Sequence, residues 1–130
     1  MNARGTFETT LHREPPFDDE AGVSLGRTGV DKRFSGALEG TGRVEMLGVG
    51  TPVKGSMAYV AMEKVRGQLE GREGTFVLQH VGSMRAGAFS LVVTVVPDTG
   101  TGALRGLVGR MEIRIEAGKH FYDFEYSFEE

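Results

Sequence analysis

The stretch Arg110-Met-Glu-Ile-Arg-Ile-Glu116 puts Met111, Ile113 and Ile115 on one face of an extended chain and only charges on the other. This two-residue period belongs to a half-buried strand; a helix would repeat every 3.6 residues. Beyond Ala117-Gly118, His120, Tyr122, Phe124, Tyr126 and Phe128 continue in phase, opposite Lys119, Asp123, Glu125 and Ser127, and only Phe121 breaks the pattern. Two alternating runs joined by a tight turn pair as an antiparallel hairpin.

Upstream, Phe89 to Val96 (Phe-Ser-Leu-Val-Val-Thr-Val-Val) is apolar on both faces, as is much of Thr75 to Val81. Strands of that kind need cover inside and out, and a closed barrel covers only the inside. A second subunit, or the N-terminal arm around Pro15, Pro16 and Phe17, is expected to cover the outside.

A repeat organises the chain. Gly36-Ala-Leu38-Glu-Gly40, Gly67-Gln-Leu69-Glu-Gly71 and Gly102-Ala-Leu104-Arg-Gly106 share Gly-x-Leu-x-Gly. Their spacing matches two strands and two turns, so each copy marks one corner of a successive hairpin, with Leu pinning the corner to the core. The predicted strands are Gly5–Leu11, Val23–Gly36, Leu38–Gly50, Gly55–Leu69, Gly74–Ser83, Ala88–Val96, Leu104–Glu116 and Lys119–Phe128. Eight such strands close an all-β, antiparallel up-and-down barrel, one domain over residues 1–130, around side chains or one small ligand.

Composition narrows the functions available. The chain has 130 residues, 20 of them glycine, 4 proline and none cysteine, and a formal net charge of −3. Without cysteine there are no disulfides, thiolate metal sites or thiol nucleophiles. Scattered Lys and Arg on an acidic chain leave no footprint for a phosphate backbone, so nucleic acid is not expected as a partner. No window approaches the ~18 apolar residues of a membrane span, and Met1 to Leu11 lacks the apolar core of a secretory signal. The expected setting is cytoplasmic, with no membrane association.

Several motifs resemble an uncharacterised bacterial family, the domain of unknown function 3224. They are Glu39-Gly-Thr-Gly-Arg-Val-Glu-Met-Leu47, Tyr59-Val-Ala-Met-Glu-Lys-Val-Arg-Gly67, Gly74-Thr-Phe-Val-Leu-Gln-His80 and Val95-Val-Pro-Asp-Thr-Gly-Thr-Gly-Ala-Leu-Arg-Gly-Leu107. They occur in order over nearly the whole chain. More distantly, Gly102 to Ile113 resembles the corner motif of allene oxide cyclases and dirigent proteins. Those are eight-stranded antiparallel barrels that hold a reactive hydrophobic molecule while it cyclises or couples. The resemblance implies a barrel with a lumen, and it carries over no catalytic residue.

The chemistry-bearing residues are few. Gly100-Thr-Gly102-Ala-Leu-Arg-Gly106 has the wrong spacing for a dinucleotide loop and leads into a hairpin; no Walker loop, nucleophile elbow or His-Glu-x-x-His run exists. His12, His80 and His120 lie on three different predicted strands with no spacing that favours zinc, so neither metal nor cofactor is expected. His80 shares a face with Phe76 and Leu78: a packed imidazole, or a base in an apolar lumen. Glu63 shares parity with Tyr59, Ala61 and Val65, and if that face points inward, burial is expected to raise its pKa. Gln79 and Glu45 are its expected neighbours, through a hydrogen bond or a shared proton. The alternative places Glu45 and Glu63 on the outer face, bridged to Lys64, Arg66 or Arg43. Tyr59 either donates to a ligand oxygen or packs at the barrel end.

Three functions follow. The barrel binds a small apolar or amphipathic metabolite through Tyr59, Glu63, Gln79, His80 and Glu45; or it is a cyclase or isomerase in which Glu63 moves a proton; or it is filled and works through a homo-oligomer interface.

Overall fold

A computed structural model of the chain describes residues 1–129. Eight strands run β1 (Asn2–Arg13), β2 (Ser24–Gly36), β3 (Leu38–Gly50), β4 (Met57–Leu69), β5 (Arg72–Arg85), β6 (Ala88–Val95), β7 (Leu107–Glu116) and β8 (Lys119–Phe128). Each pairs antiparallel with the next, and β1 pairs with β8, closing an up-and-down barrel. Short 3₁₀ turns occupy Glu20–Gly22 and Gly102–Leu104. Leu104, expected at the start of the seventh strand, therefore lies in a turn, with its side chain in the core. No helix among the described residues is long and apolar enough to cross a membrane.

The repeat closes one end. Leu38 and Leu69 face each other across β3 and β4, and they and Leu104 are fully enclosed. Gly40 opposes Gly67 in the register of β3 and β4. A Cβ on Gly67 would collide with the Glu39 carbonyl oxygen, and one on Gly40 with that of Arg66, so both positions exclude side chains. Tyr122 ties the same end together. Its hydroxyl accepts from the Leu38 amide at 2.8 Å and donates to the Ser35 carbonyl at 3.0 Å. Above this plug the interior is filled by aromatic pairs, Phe7 with Phe34 (5.5 Å between centroids), Phe76 with Phe124 (5.9 Å) and Phe124 with Tyr126 (5.4 Å). Such pairs add about 0.5–1.5 kcal/mol each beyond the area they bury.

The opposite end is left open. Leu11, Met57, Phe89 and Ile115 share the inward parity of the core residues on their strands, yet they are 44–65 % exposed. Below them Thr9, Thr28, Met46, Tyr59, Leu91, Ile113 and His120 are half-buried. The wall is also incomplete here. β6 and β7 pair only at Thr94–Arg110, and β1 leaves β8 beyond Phe7–His120. The result is a cup, solid below and open above.

Candidate functional site

The site forms where the solid core gives way to the cup. On β2, Val30, Lys32 and Phe34 are buried between exposed Asp31 and Arg33, so alternation carries the Lys32 side chain inward. On β4 the inward set is Tyr59, Ala61, Glu63 and Val65; on β5 it is Phe76, Leu78, His80 and Gly82. Register does the rest. Glu63 is paired with Val44 on one side and Leu78 on the other, and His80 faces Ala61, one inward step from Glu63.

Three polar groups converge there. Glu63 Oε1 accepts from Lys32 Nζ at 3.1 Å and lies 2.8 Å from His80 Nε2. All three are buried, Glu63 completely. Lys32 Nζ also stands over the Phe7 ring, 4.5 Å from its centroid, a contact that favours the cation more strongly once it is out of water. Glu63 Oε2 is enclosed without a hydrogen-bond partner and points at Gly42, where any side chain would strike it.

Burial by itself pushes the Glu63 carboxyl up, but the His80 hydrogen bond and the Lys32 charge outweigh it. The group is held below its ordinary value and is ionised. This corrects the expectation of a raised pKa, which considered burial and not the cation two strands away. Because an ionised carboxylate only accepts hydrogen bonds, the proton of a neutral His80 ring resides on Nε2 and leaves Nδ1 bare.

Tyr59 completes the floor. Its ring crosses the inner face of β5 at Gly82, occupying the space a side chain there would need, and packs with Val30, Val44, Ala61 and Met46. Burial and then the charge of Glu63 push its hydroxyl up, so it is held as a donor. Among the described residues that hydroxyl makes no hydrogen bond, and no group of three or more His, Asp or Glu side chains could hold a metal ion.

Two expected members of the site lie elsewhere. Gln79 is exposed on the outer face, in one row with Met62 and Thr94, because it has the opposite parity to His80. Glu45 pairs in register with Met62 and also lies outside, where it binds Arg27 (2.9 Å) and Arg43 (2.9 Å), which hold its carboxyl below the ordinary value. A proton shared with Glu63 is impossible across the wall. Lys32 is the residue that sequence reasoning missed, although its place in phase with Val30 and Phe34 was the available signal.

Outside the cup, Leu47, Val60, Val81 and Val92 stand in one cross-strand row on β3, β4, β5 and β6, each about half exposed. The segment around Pro15, Pro16 and Phe17, expected as an arm, is the β1–β2 connection; it reaches the edge of this row, with Phe17 N donating to the Leu25 carbonyl, but Phe17 is itself 67 % exposed. Connection and strands flank a groove of about 420 Å³ lined by Phe17, Leu25, Leu47, Val49, Val60 and Val81. The connection borders the apolar face and does not cover it.

Fold and site together define a closed antiparallel barrel with a buried Lys–Glu–His cluster beneath an open, apolar mouth. The family of proteins of unknown function DUF3224 matches residues 3–126, and the chain belongs to it. It is similar to the crystal structure of a DUF3224 protein of unknown function from Shewanella oneidensis MR-1. The two share 47 % identity and a TM-score of 0.95, over 100 % of this chain and 98 % of that one. No curated protein matches the chain.

Proposed function

We propose that this protein binds a small amphipathic molecule in the open half of its barrel, with the apolar body among Leu11, Met46, Leu91, Ile113 and Ile115 and the polar end at Tyr59 and His80. The observation that carries this reading is the asymmetry of the interior. Inward side chains at one end are wholly enclosed, while those of the same parity at the other are up to 65 % exposed. A barrel filled only for stability gains nothing from apolar side chains held in water around an open mouth, whereas a binding site needs them there.

The test is a titration of ¹⁵N-labelled protein with 2-naphthol, a neutral apolar bicycle bearing one hydroxyl. Shifts are expected at Tyr59, His80, Leu91 and Ile113, and Gly48→Leu is expected to abolish them. A Cβ at Gly48 meets only ordinary contacts at 3.6 Å, so this change fills the mouth without straining the strand. Shifts confined to the outer groove, or undiminished by Gly48→Leu, overturn the proposal.

The row Leu47–Val60–Val81–Val92 favours a second feature, association of two copies through this face. The row carries no charge, and the mixed charges of Arg27, Glu45 and Arg43 lie beside it, so a two-fold arrangement can bury it against itself. Sedimentation of wild type and Val60→Asp/Val81→Asp tests this. A dimer that the double change dissociates supports it, and a wild-type monomer at 100 μM, a concentration on the order of those reached in the titration, refutes it.

A further inference from the structure

We infer that the floor of the cup transfers protons on a bound ketone: His80 Nδ1 is the base, the Tyr59 hydroxyl donates to the carbonyl oxygen, and Glu63 is a positioning residue. This rests on the cup being a binding site and goes beyond it by naming a reaction and a substrate class. Glu63, the expected proton carrier, is unsuited to the task. Its Oε1 is taken by Lys32 and His80, and its Oε2 is sealed against Gly42, so no oxygen of this carboxylate meets a substrate.

His80 has the complementary arrangement. Its Nε2 is held by the carboxylate at 2.8 Å, which fixes both the tautomer and the ring, and Nδ1 makes no hydrogen bond among the described residues. Nor is Nδ1 sealed: the one enclosed side-chain polar atom without a partner among those residues is Glu63 Oε2. A carboxylate behind an imidazole stabilises the imidazolium that forms when the far nitrogen takes a proton. Lys32 keeps that carboxylate ionised. Tyr59, with its ring across Gly82 two residues along β5 from His80, puts a protonated donor on the same inner face of the wall as the base, packed against Val30, Val44 and Ala61. There a developing oxyanion is worth stabilising with one well-placed donor.

The step balances without a co-reactant. Nδ1 takes a proton from the carbon next to the carbonyl, the C–H electron pair becomes a C=C bond, and the carbonyl π pair moves to oxygen, where the Tyr59 hydroxyl holds it. The imidazolium then either trades its Nδ1 proton with solvent and delivers the solvent hydron to the same carbon or, in an unsaturated ketone, delivers its proton to the far end of the conjugated system; in each case the enolate pair forms the new bond to hydrogen and the carbonyl is restored. The first outcome is exchange, the second isomerisation. The substrate class is an apolar-bodied ketone or enone with no charged group.

The experiment uses 2-tetralone, an apolar bicyclic ketone with acidic protons at C1. Loss of the C1 proton signal is followed by NMR in D₂O while binding is read in the same samples by saturation transfer. At saturating tetralone, wild type is expected to exchange C1 at least about 100-fold faster than His80→Gln, a factor in the range of general-base catalysis. Tyr59→Phe is expected to lower kcat by about 100–1,000-fold. Glu63→Gln/Lys32→Met removes both buried charges together, which preserves the fold, and is expected to lower kcat with KM unchanged. Wild type that binds tetralone but exchanges no faster than His80→Gln overturns the inference and leaves the cup as a binding site. Full kcat in the double variant overturns the positioning role of Glu63. No saturation transfer to wild type overturns the binding reading and the inference with it.

Discussion

Removing the Glu63 charge is the most informative perturbation of this barrel. In Glu63→Gln the amide can still meet His80, but Lys32, only 9 % exposed and 3.1 Å from the carboxylate, is left as a cation with no anion. Breaking a buried pair in this way costs about 3–5 kcal/mol, whereas removing both charges together is close to neutral. For a domain of this size a loss of that order lowers Tm by roughly 10–20 °C. Glu63→Gln is therefore expected to melt at least about 10 °C below wild type at pH 7.5. Lys32→Met should fall toward the lower end of that range, because Glu63 keeps His80, and Glu63→Gln/Lys32→Met should recover most of the loss. The assay is urea and thermal unfolding followed by far-ultraviolet circular dichroism, with the four proteins forming a double-mutant cycle. A Glu63→Gln cost below about 1 kcal/mol, or a double variant as unstable as the sum of the singles, would refute an ionised, paired Glu63.

Other predictions follow from the same structure. Glu63 is held below its ordinary value of 4.5, so its contribution is present above that pH and is lost as pH falls further. Wild type should lose stability relative to Glu63→Gln/Lys32→Met on acidification from pH 5 to about pH 3, and parallel unfolding curves over that range would count against the assignment. Burial and donation to Glu70 push Tyr126 up to about 12. Tyr59 and Tyr122 are also held above the ordinary value of 10.0, and Tyr126 should be the last tyrosine to ionise in the folded protein. Its stabilising contribution, present below that value, should disappear as pH rises through about 12, and absorbance titration at 295 nm reads both. Gly67→Ala should cost about 3 kcal/mol or more, because the added methyl meets the Glu39 carbonyl. Gly50→Ala, which meets nothing within 4 Å, should be within about 0.5 kcal/mol of wild type, and equal costs at the two sites would contradict the close crossing of β3 and β4.

The strands were legible because alternation is local: Arg110–Glu116 and Lys119–Phe128 bear their inside and outside in their own order, and β7–β8 forms as expected. Tyr59, Glu63 and His80 each share parity with apolar neighbours on their strands, which marked one face of each strand but left open whether that of Glu63 pointed inward. Gln79 and Glu45 misled because proximity of strands says nothing about sides. Each is next to the right residue in the sheet but on the other face of the wall.

What only the tertiary structure decided is which inward residues meet. Lys32 and Glu63 are 31 residues apart, and His80 is 17 beyond Glu63. Their convergence depends on the relative register of β2, β3, β4 and β5, which no single strand contains. The charge of Glu63 was decided at the same moment. Burial alone would have neutralised it, and the His80 hydrogen bond and the Lys32 charge, both contributed by other strands, keep it ionised. The sequence by itself determined an alternating, glycine-cornered chain able to close into a barrel. Closure determined that one end would be packed solid, that the other would stay open, and that three polar side chains would share the boundary between them.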